Sequence, residues 1–238
     1  MKVVSATNVG NYRKNNEDCY FVNESKNLYI LADGMGGHLA GERASKMATE
    51  IIASDFEKAK EIKTIEDAIE ILSSSIRDAN REIFKSSEEN EDYRGMGTTV
   101  SAGIILGSVL IYSNVGDSRI YRINKDIEQI TRDDSFVNYL MEIGEITEEE
   151  AKVHPKKNVL TKAMGTTADL DVSVNTLKIE ENDIFLFCSD GLTNMIPDEE
   201  IFKIIKENTP EVAKDKLLDL ALKNGGMDNI TFILVFNK

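Results

Sequence analysis

The chain opens with short runs in which apolar residues crowd or alternate: "KVVSATN", "CYFVN" and "LYILAD". Their β-branched and aromatic content predicts three strands. The period then changes. Over residues 38–59, Leu39, Met47, Ile51 and Ile52 recur at roughly helical spacing. Over 64–88, Ile65, Ala68, Leu72, Ile76, Ala79 and Ile83 fall along one face, with Thr64 placed to cap the start. From Thr98 to Thr131 the strand period returns, and turns at Gly107, Gly116-Asp117 and Asn124-Lys125 cut it into a meander. Residues 132–165 are polar and helical only in short pieces, with Thr147 and Glu150 spaced as a capping box. They read as a surface excursion from the core. Strands resume at "DVSVNTLKI" and "DIFLFCSD". Two helices follow, the second opening on Thr209-Pro210, and "ITFILVF" is a last strand. Long β stretches separated by helix pairs predict an α+β layered domain over mostly antiparallel sheet.

Length and charge narrow the setting. The 238 residues hold no repeat and no Pro-, Gly- or Ser-rich linker, so 1–238 reads as one domain. Acidic residues outnumber basic ones by 42 to 28, a formal charge of −14. That balance disfavours nucleic acid and anionic membrane surfaces as partners. No apolar run approaches the roughly 18 residues of a spanning helix, and the start lacks a signal-peptide core; a cytosolic protein is expected. Cys19 and Cys188 lie in apolar strands with no ligand spacing between them and read as reduced core residues.

The chemistry gathers at predicted strand ends. Asp33 follows "LYILA", Asp117 follows "VLIYSNVG", Asp190 follows "DIFLFCS", and Asp228 stands in "GGMDN" before the last strand. Alone, each reads first as a turn residue, since Asp-Gly is a common turn pair. Together, antiparallel neighbours would bring them to one rim, where hard divalent cations relieve their repulsion. Phosphate-loop alternatives fail on residues. No lysine follows the glycines of "DGMGGHLAG" at P-loop spacing, Leu39 stands where a dinucleotide fingerprint needs its third glycine, and no EF-hand ladder is present. In "GNYRKNNED", Arg13 offers a planar fork for two phosphate oxygens, and Glu17 and Asp18 add acids near a strand start.

Seven motifs in order now resemble one family: "GNYRKNNED", "ADGMGGHLAGERAS", "GMGTT", "VGDSRIYR", "HPKKNVLTKAMG", "FCSDGLTN" and "GGMDNIT". The chain is similar to the metal-dependent protein phosphatases of the protein phosphatase 2C (PPM) type, in their compact bacterial serine/threonine form. The resemblance implies a four-layer αββα sandwich of two antiparallel sheets flanked by helices, with residues 132–165 as a small helical flap. It implies that Asp33 bridges two ions, Mn²⁺ or Mg²⁺, that Asp190 and Asp228 complete the first ion's shell, and that the Gly34 carbonyl binds the second. Asp117 with Asp190 would form a weaker third site, and Glu17 and Asp18 would act through metal-bound waters. Hydrolysis of phosphoserine and phosphothreonine would proceed by in-line attack of a metal-bridging hydroxide, with Arg13 holding the phosphoryl oxygens. Met35 stands where many eukaryotic members have histidine. His38 is the candidate proton donor, with a metal-bound water as the alternative. The implied partners are phosphorylated proteins and an opposing Ser/Thr kinase; the chain itself is taken as a monomer by default. A non-catalytic phosphoprotein binder, a hydrolase of small phosphate esters and a nucleotide switch are the competing classes. The first should have lost acids that this chain keeps, and the last fails on the phosphate-loop patterns.

Overall fold

The computed structural model describes residues 1–36, 40–59 and 61–237. In chain order its strands are β1 (Lys2–Asn8), β2 (Asp18–Asn23), β3 (Leu28–Met35), β4 (Gly97–Thr98), β5 (Val100–Leu106), β6 (Val109–Val115), β7 (Arg119–Ile123), β8 (Ile127–Gln129), β9 (Val174–Lys178), β10 (Ile184–Cys188) and β11 (Ile230–Phe236). Its α-helices are α1 (Ala40–Lys58), α2 (Ile65–Glu89), α3 (Phe136–Glu142), α4 (Glu148–Val153), α5 (Asp190–Thr193), α6 (Asp198–Glu207) and α7 (Pro210–Lys223).

The strands form two antiparallel sheets, ordered β1-β11-β10-β7-β8 and β2-β3-β5-β6-β9, with β4 added beside β3. Side-chain alternation explains why several strands read as unbroken apolar runs. In β3, Leu28, Ile30 and Ala32 pack under α1 and α2, while Tyr29 and Leu31 face the other sheet. In β11, Phe232 and Leu234 face the helices α5–α7, while Ile233 and Val235 meet Phe185 and Phe187 between the sheets. A strand covered on both faces has no polar side to show. The result is the four-layer α+β sandwich, each fully buried Leu or Phe contributing roughly 1.5–3 kcal/mol against exposure. Cys188 is one of these buried residues, and both cysteines are free.

Local signals hold where side chains bond their own backbone. Thr64 caps α2 in a reciprocal box with Asp67, and Thr147 does the same with Glu150 on α4. Three elements differ from the sequence reading. β3 does not stop at Asp33 but runs on to Met35, because Gly34 and Met35 pair with Thr98 and Gly97 of β4. Strand structure after "DIFLFC" gives way to one helical turn, α5, so Asp190-Gly191 starts a helix rather than a hairpin. β9 begins at Val174, three residues later than the apolar pattern of "DVSV" suggests.

The excursion at 132–165 carries α3 and α4 and is tied back at both ends. The Asp134 amide donates to the Gly116 carbonyl (2.9 Å), the Thr161 amide to the Asp134 carbonyl (2.8 Å), and the Met164 amide to the Thr98 carbonyl (2.9 Å). Its two ends therefore lie beside Gly116-Asp117 and β4. No helix among the described residues is long and apolar enough to cross a membrane.

Candidate active site and metal centre

A cleft of about 470 Å³ is lined by Asp33, Asp117, Asp190, Asp228, Glu17 and Arg13, which come from strand ends of both sheets and the loop before β2. The fold thus gathers the four acids singled out in the sequence. Asn158 and Leu160 to Ala163, from the end of the excursion, supply part of the lining, including Lys162. Asp18 lies beneath rather than in the lining. It pairs with Asp33 across β2 and β3, and its Oδ2 accepts from the Ser189 hydroxyl at 2.8 Å.

The backbone of Asp33 is fixed from both sides. Its N–H donates to Thr99 Oγ1 (2.9 Å), and its carbonyl accepts from Thr98 Oγ1 (2.9 Å) and the Thr99 amide (2.9 Å). Thr99 Oγ1 shares a 2.7 Å hydrogen bond with Ser118 Oγ, which links this clamp to the residue after Asp117. Asp190 Oδ2 accepts from Asn194 Nδ2 (3.0 Å) one turn along the helix it starts. Asp228 is oriented at both oxygens, by the Asn229 amide on Oδ1 (2.8 Å) and by Arg13 on Oδ2 (2.7 Å).

Gly34 has a reason other than backbone access for a ligand. A Cβ there would overlap the Gly41 carbonyl of α1 and come within 2.7 Å of the Glu17 carbonyl. The glycine lets α1 and the pre-β2 loop close on β3. The two arginines of "VGDSRIYR" are spoken for elsewhere. Arg119 forks onto Asp133 (2.7–3.1 Å) and Arg122 pairs with Asp183 (3.0 Å).

Like charges dominate the electrostatics. Burial, then the neighbouring acids Asp18, Asp190, Asp117 and Asp228, push the Asp33 carboxyl well above its ordinary range. Burial likewise raises Asp117 to about 7, aided by Asp190, and Asp190 to about 6, aided by Asp228. Asp18 rises to about 7 through burial, against the lowering hydrogen bonds from Thr231 and Ser189. Arg13 is the cation among them. Burial pulls its pKa down, but Asp228, Glu17 and Asp33 outweigh that and hold it up.

The donor set fits hard divalent cations. Asp18 Oδ1 is buried with no hydrogen-bond partner, and the surrounding oxygens are anionic with too few protein cations to match. Among the described residues, no three acids, histidines or cysteines already stand close enough to close a shell round one ion. The site is a ring of acids about a cleft, with water and substrate oxygens left to complete any coordination.

The raised carboxyl pKa values set a pH dependence. Between about pH 4 and pH 7 the folded chain without metal holds protons that the unfolded chain releases. The stability those protons contribute is therefore full below the ordinary carboxylate range and is lost as pH rises through 6 to 7. One pKa unit corresponds to about 1.4 kcal/mol, and each kcal/mol moves Tm by roughly 2–4 °C in a chain of this size. In chelator, Tm should fall by several degrees from pH 5 to pH 8, and Mn²⁺ should abolish the fall. Thermal scans at both pH values check this; a Tm in chelator that rises with pH would contradict it.

Of the remaining expectations, His38 lies outside the described residues. His154 ends α4, where its Nδ1 accepts from the Lys156 amide (3.1 Å), and it does not line the cleft. Met35 does line it. Sequence reasoning passed over Thr98, Thr99, Ser118, Ser189 and Asn229. The signals were present, in "GMGTT", "GDS", "CSD" and "MDN", but hydroxyl and amide residues announce their partners only once the chain is folded.

Known proteins match the chain in sequence and in fold. The family model described as protein phosphatase 2C matches residues 11–223. The serine/threonine phosphatase stp of Listeria innocua is 39% identical over 234 residues, covering 96% of this chain and 93% of its own. The crystal structure of serine/threonine phosphatase Stp1 from Staphylococcus aureus superposes with a TM-score of 0.94 at 41% identity, covering 100% of this chain and 95% of that one. The catalytic domain of serine threonine protein phosphatase PstP, solved in complex with two manganese ions, gives a TM-score of 0.87 at 32% identity, covering 98% and 96%. With a family model over residues 11–223 and relatives matched in sequence and fold along nearly the whole chain, this protein belongs to the protein phosphatase 2C family, in its compact bacterial serine/threonine branch.

Proposed function

We propose that the chain hydrolyses phosphoserine and phosphothreonine in proteins with the help of two divalent cations, manganese or magnesium, held in the acid-ringed cleft. The observation that carries this reading is the convergence of Asp33, Asp117, Asp190 and Asp228 with Arg13 on one cavity. The manganese pair in the PstP structure supports it. Asp33 would reach both ions, Asp190 and Asp228 would hold one, and the Gly34 carbonyl would join the other. Asp117 with Asp190 offers a third, weaker site, and Glu17 and Asp18 would accept hydrogen bonds from coordinated water. When bound, such ions lower the pKa of water toward neutrality and polarise phosphoryl oxygens.

The chain's own groups do the rest. Arg13 is half-exposed at the cleft edge, so its guanidinium can turn from Asp228 to two phosphoryl oxygens and offset their growing charge. The leaving serine or threonine alkoxide needs a proton, and His38 is the proposed donor. Residues 132–165 act as a flap beside the cleft, a role supported by Asn158, Leu160, Thr161, Lys162 and Ala163, which line it. In the cell the enzyme would work in the cytoplasm as a monomer, opposing a Ser/Thr kinase on that kinase's substrates.

The test is turnover of a phosphothreonine peptide against Mn²⁺ concentration, in the wild type and in Asp190→Ala. Activity that appears with metal and falls at least about 100-fold in the variant is expected, for loss of roughly 3 kcal/mol of charge stabilisation. A wild type that binds metal yet turns over nothing would point instead to a phosphoprotein-binding scaffold.

A further inference from the structure

The stretch from Val9 to Glu17 joins β1 to β2 without regular structure and carries Arg13, whose side chain is 51% exposed. An arginine that must meet a phosphoryl group needs placement far tighter than a free loop allows. What steadies the loop comes from the other end of the sequence. Asn229 is 5% exposed, and its side-chain amide is fully engaged. Nδ2 donates to the carbonyls of Val9 (2.9 Å) and Asn15 (3.0 Å), and Oδ1 accepts from the Glu17 amide (2.8 Å). These partners are the entry and exit of the loop. One side chain thus closes it into a ring with Arg13 in between.

The backbone of the same residue faces the acids. The Asn229 amide donates to Asp228 Oδ1, whose other oxygen takes Arg13. The Asn229 carbonyl occupies the space that a Cβ on Gly191 would need, which brings the Asp190 turn against it. No other side chain fits this place. Aspartate has no donors and would set a negative charge against two carbonyls, serine reaches one partner, and glutamine is a methylene too long.

We propose that Asn229 is a positioning residue. It locks the 9–17 loop to the Asp228 strand end, so that Arg13 meets the phosphoryl group in a fixed position relative to Glu17 and the acids Asp228 and Asp190. This rests on the phosphatase reading above for the identity of the ligand, but the clasp itself has a readout that needs no turnover.

The experiment compares the Mn²⁺-loaded full chain with Asn229→Ala, Arg13→Ala and the double variant. The readouts are kcat/KM on a phosphothreonine peptide and hydrogen exchange of the Glu17 amide. Asn229→Ala should lower kcat/KM by roughly 10–100-fold, the usual range for a group that orients a ligand. In the Arg13→Ala background the same change should cost no more than about threefold, because the arginine it positions is gone. The Glu17 amide should exchange faster in both Asn229 variants. Equal fold losses in the two backgrounds, or an unchanged Glu17 amide, would overturn the proposal. A wild type without turnover whose Glu17 amide still loosens in Asn229→Ala would support the clasp and overturn the phosphatase reading alone. Should Asn229→Ala not fold, Asn229→Ser, uncharged and able to reach one partner, takes the same place in the cycle and is read by its kcat/KM loss in the two backgrounds.

Discussion

Asp33→Asn is expected to lower kcat by at least about 10³-fold while leaving the protein folded, and in chelator at pH 8 no less stable than the wild type. The two effects have one cause. The carboxylate is the acid most strongly crowded by its neighbours, raised by burial and by four other aspartates. Removing its charge takes away about 4 kcal/mol or more of the attraction that would hold and orient two cations. The same change relieves a repulsion that the chain carries when no cation is present. Folding should survive because the backbone of residue 33 is held through Thr98 and Thr99, whose hydroxyls bond main-chain atoms and not the carboxylate. Steady-state kinetics with Mn²⁺ and thermal scans with and without chelator check both halves. Turnover within tenfold of wild type would remove Asp33 from the centre of the site.

Gly34→Ala should be worse for the fold than for any single bond in the site. The added methyl would overlap the Gly41 carbonyl and crowd the Glu17 carbonyl, and both are backbone atoms that cannot swing aside. Overpacking against movable side chains costs about 1–3 kcal/mol; here we expect the upper end or more, about 3–4 kcal/mol, seen in urea as a lower midpoint at unchanged slope. Activity should fall as well, since α1 and the loop ending at Glu17 must move apart. A variant of wild-type stability that had lost only metal affinity would favour the simpler view, in which the glycine serves just to expose its carbonyl.

Comparing these two residues shows what the chain made legible. Asp33 was legible only in company, since Asp-Gly alone reads as a turn and it is four acids in order at strand ends that invite a chemical explanation. The sandwich was legible too, because strands such as "ITFILVF" are apolar on both faces and only a doubly covered sheet accounts for that. Gly34 has a second reason that the sequence does not carry. Its need for a missing side chain comes from Gly41 and Glu17, whose approach no local pattern encodes. The one-turn helix at Asp190 was hidden for a related cause: Ser-Asp-Gly favours turns of several kinds, and packing of Gly191 against the Asn229 carbonyl decides among them. Asn229 itself was passed over. Amide side chains reveal their work through partners more than two hundred positions away, as with Val9 and Asn15.

The placement of β11 between β1 and β10 has a consequence for biosynthesis. Until that strand leaves the ribosome, the first sheet has a gap in its middle, β1 has no partner, and neither Asp228 nor the Asn229 clasp exists. A nascent chain can fold β2–β6 with α1 and α2, whose contacts are already made, but it cannot hold Arg13 beside the acids. The ring of acids and the loop that carries Arg13 therefore stay apart for as long as β11 is missing, and they are brought together in one step, when that strand slots in.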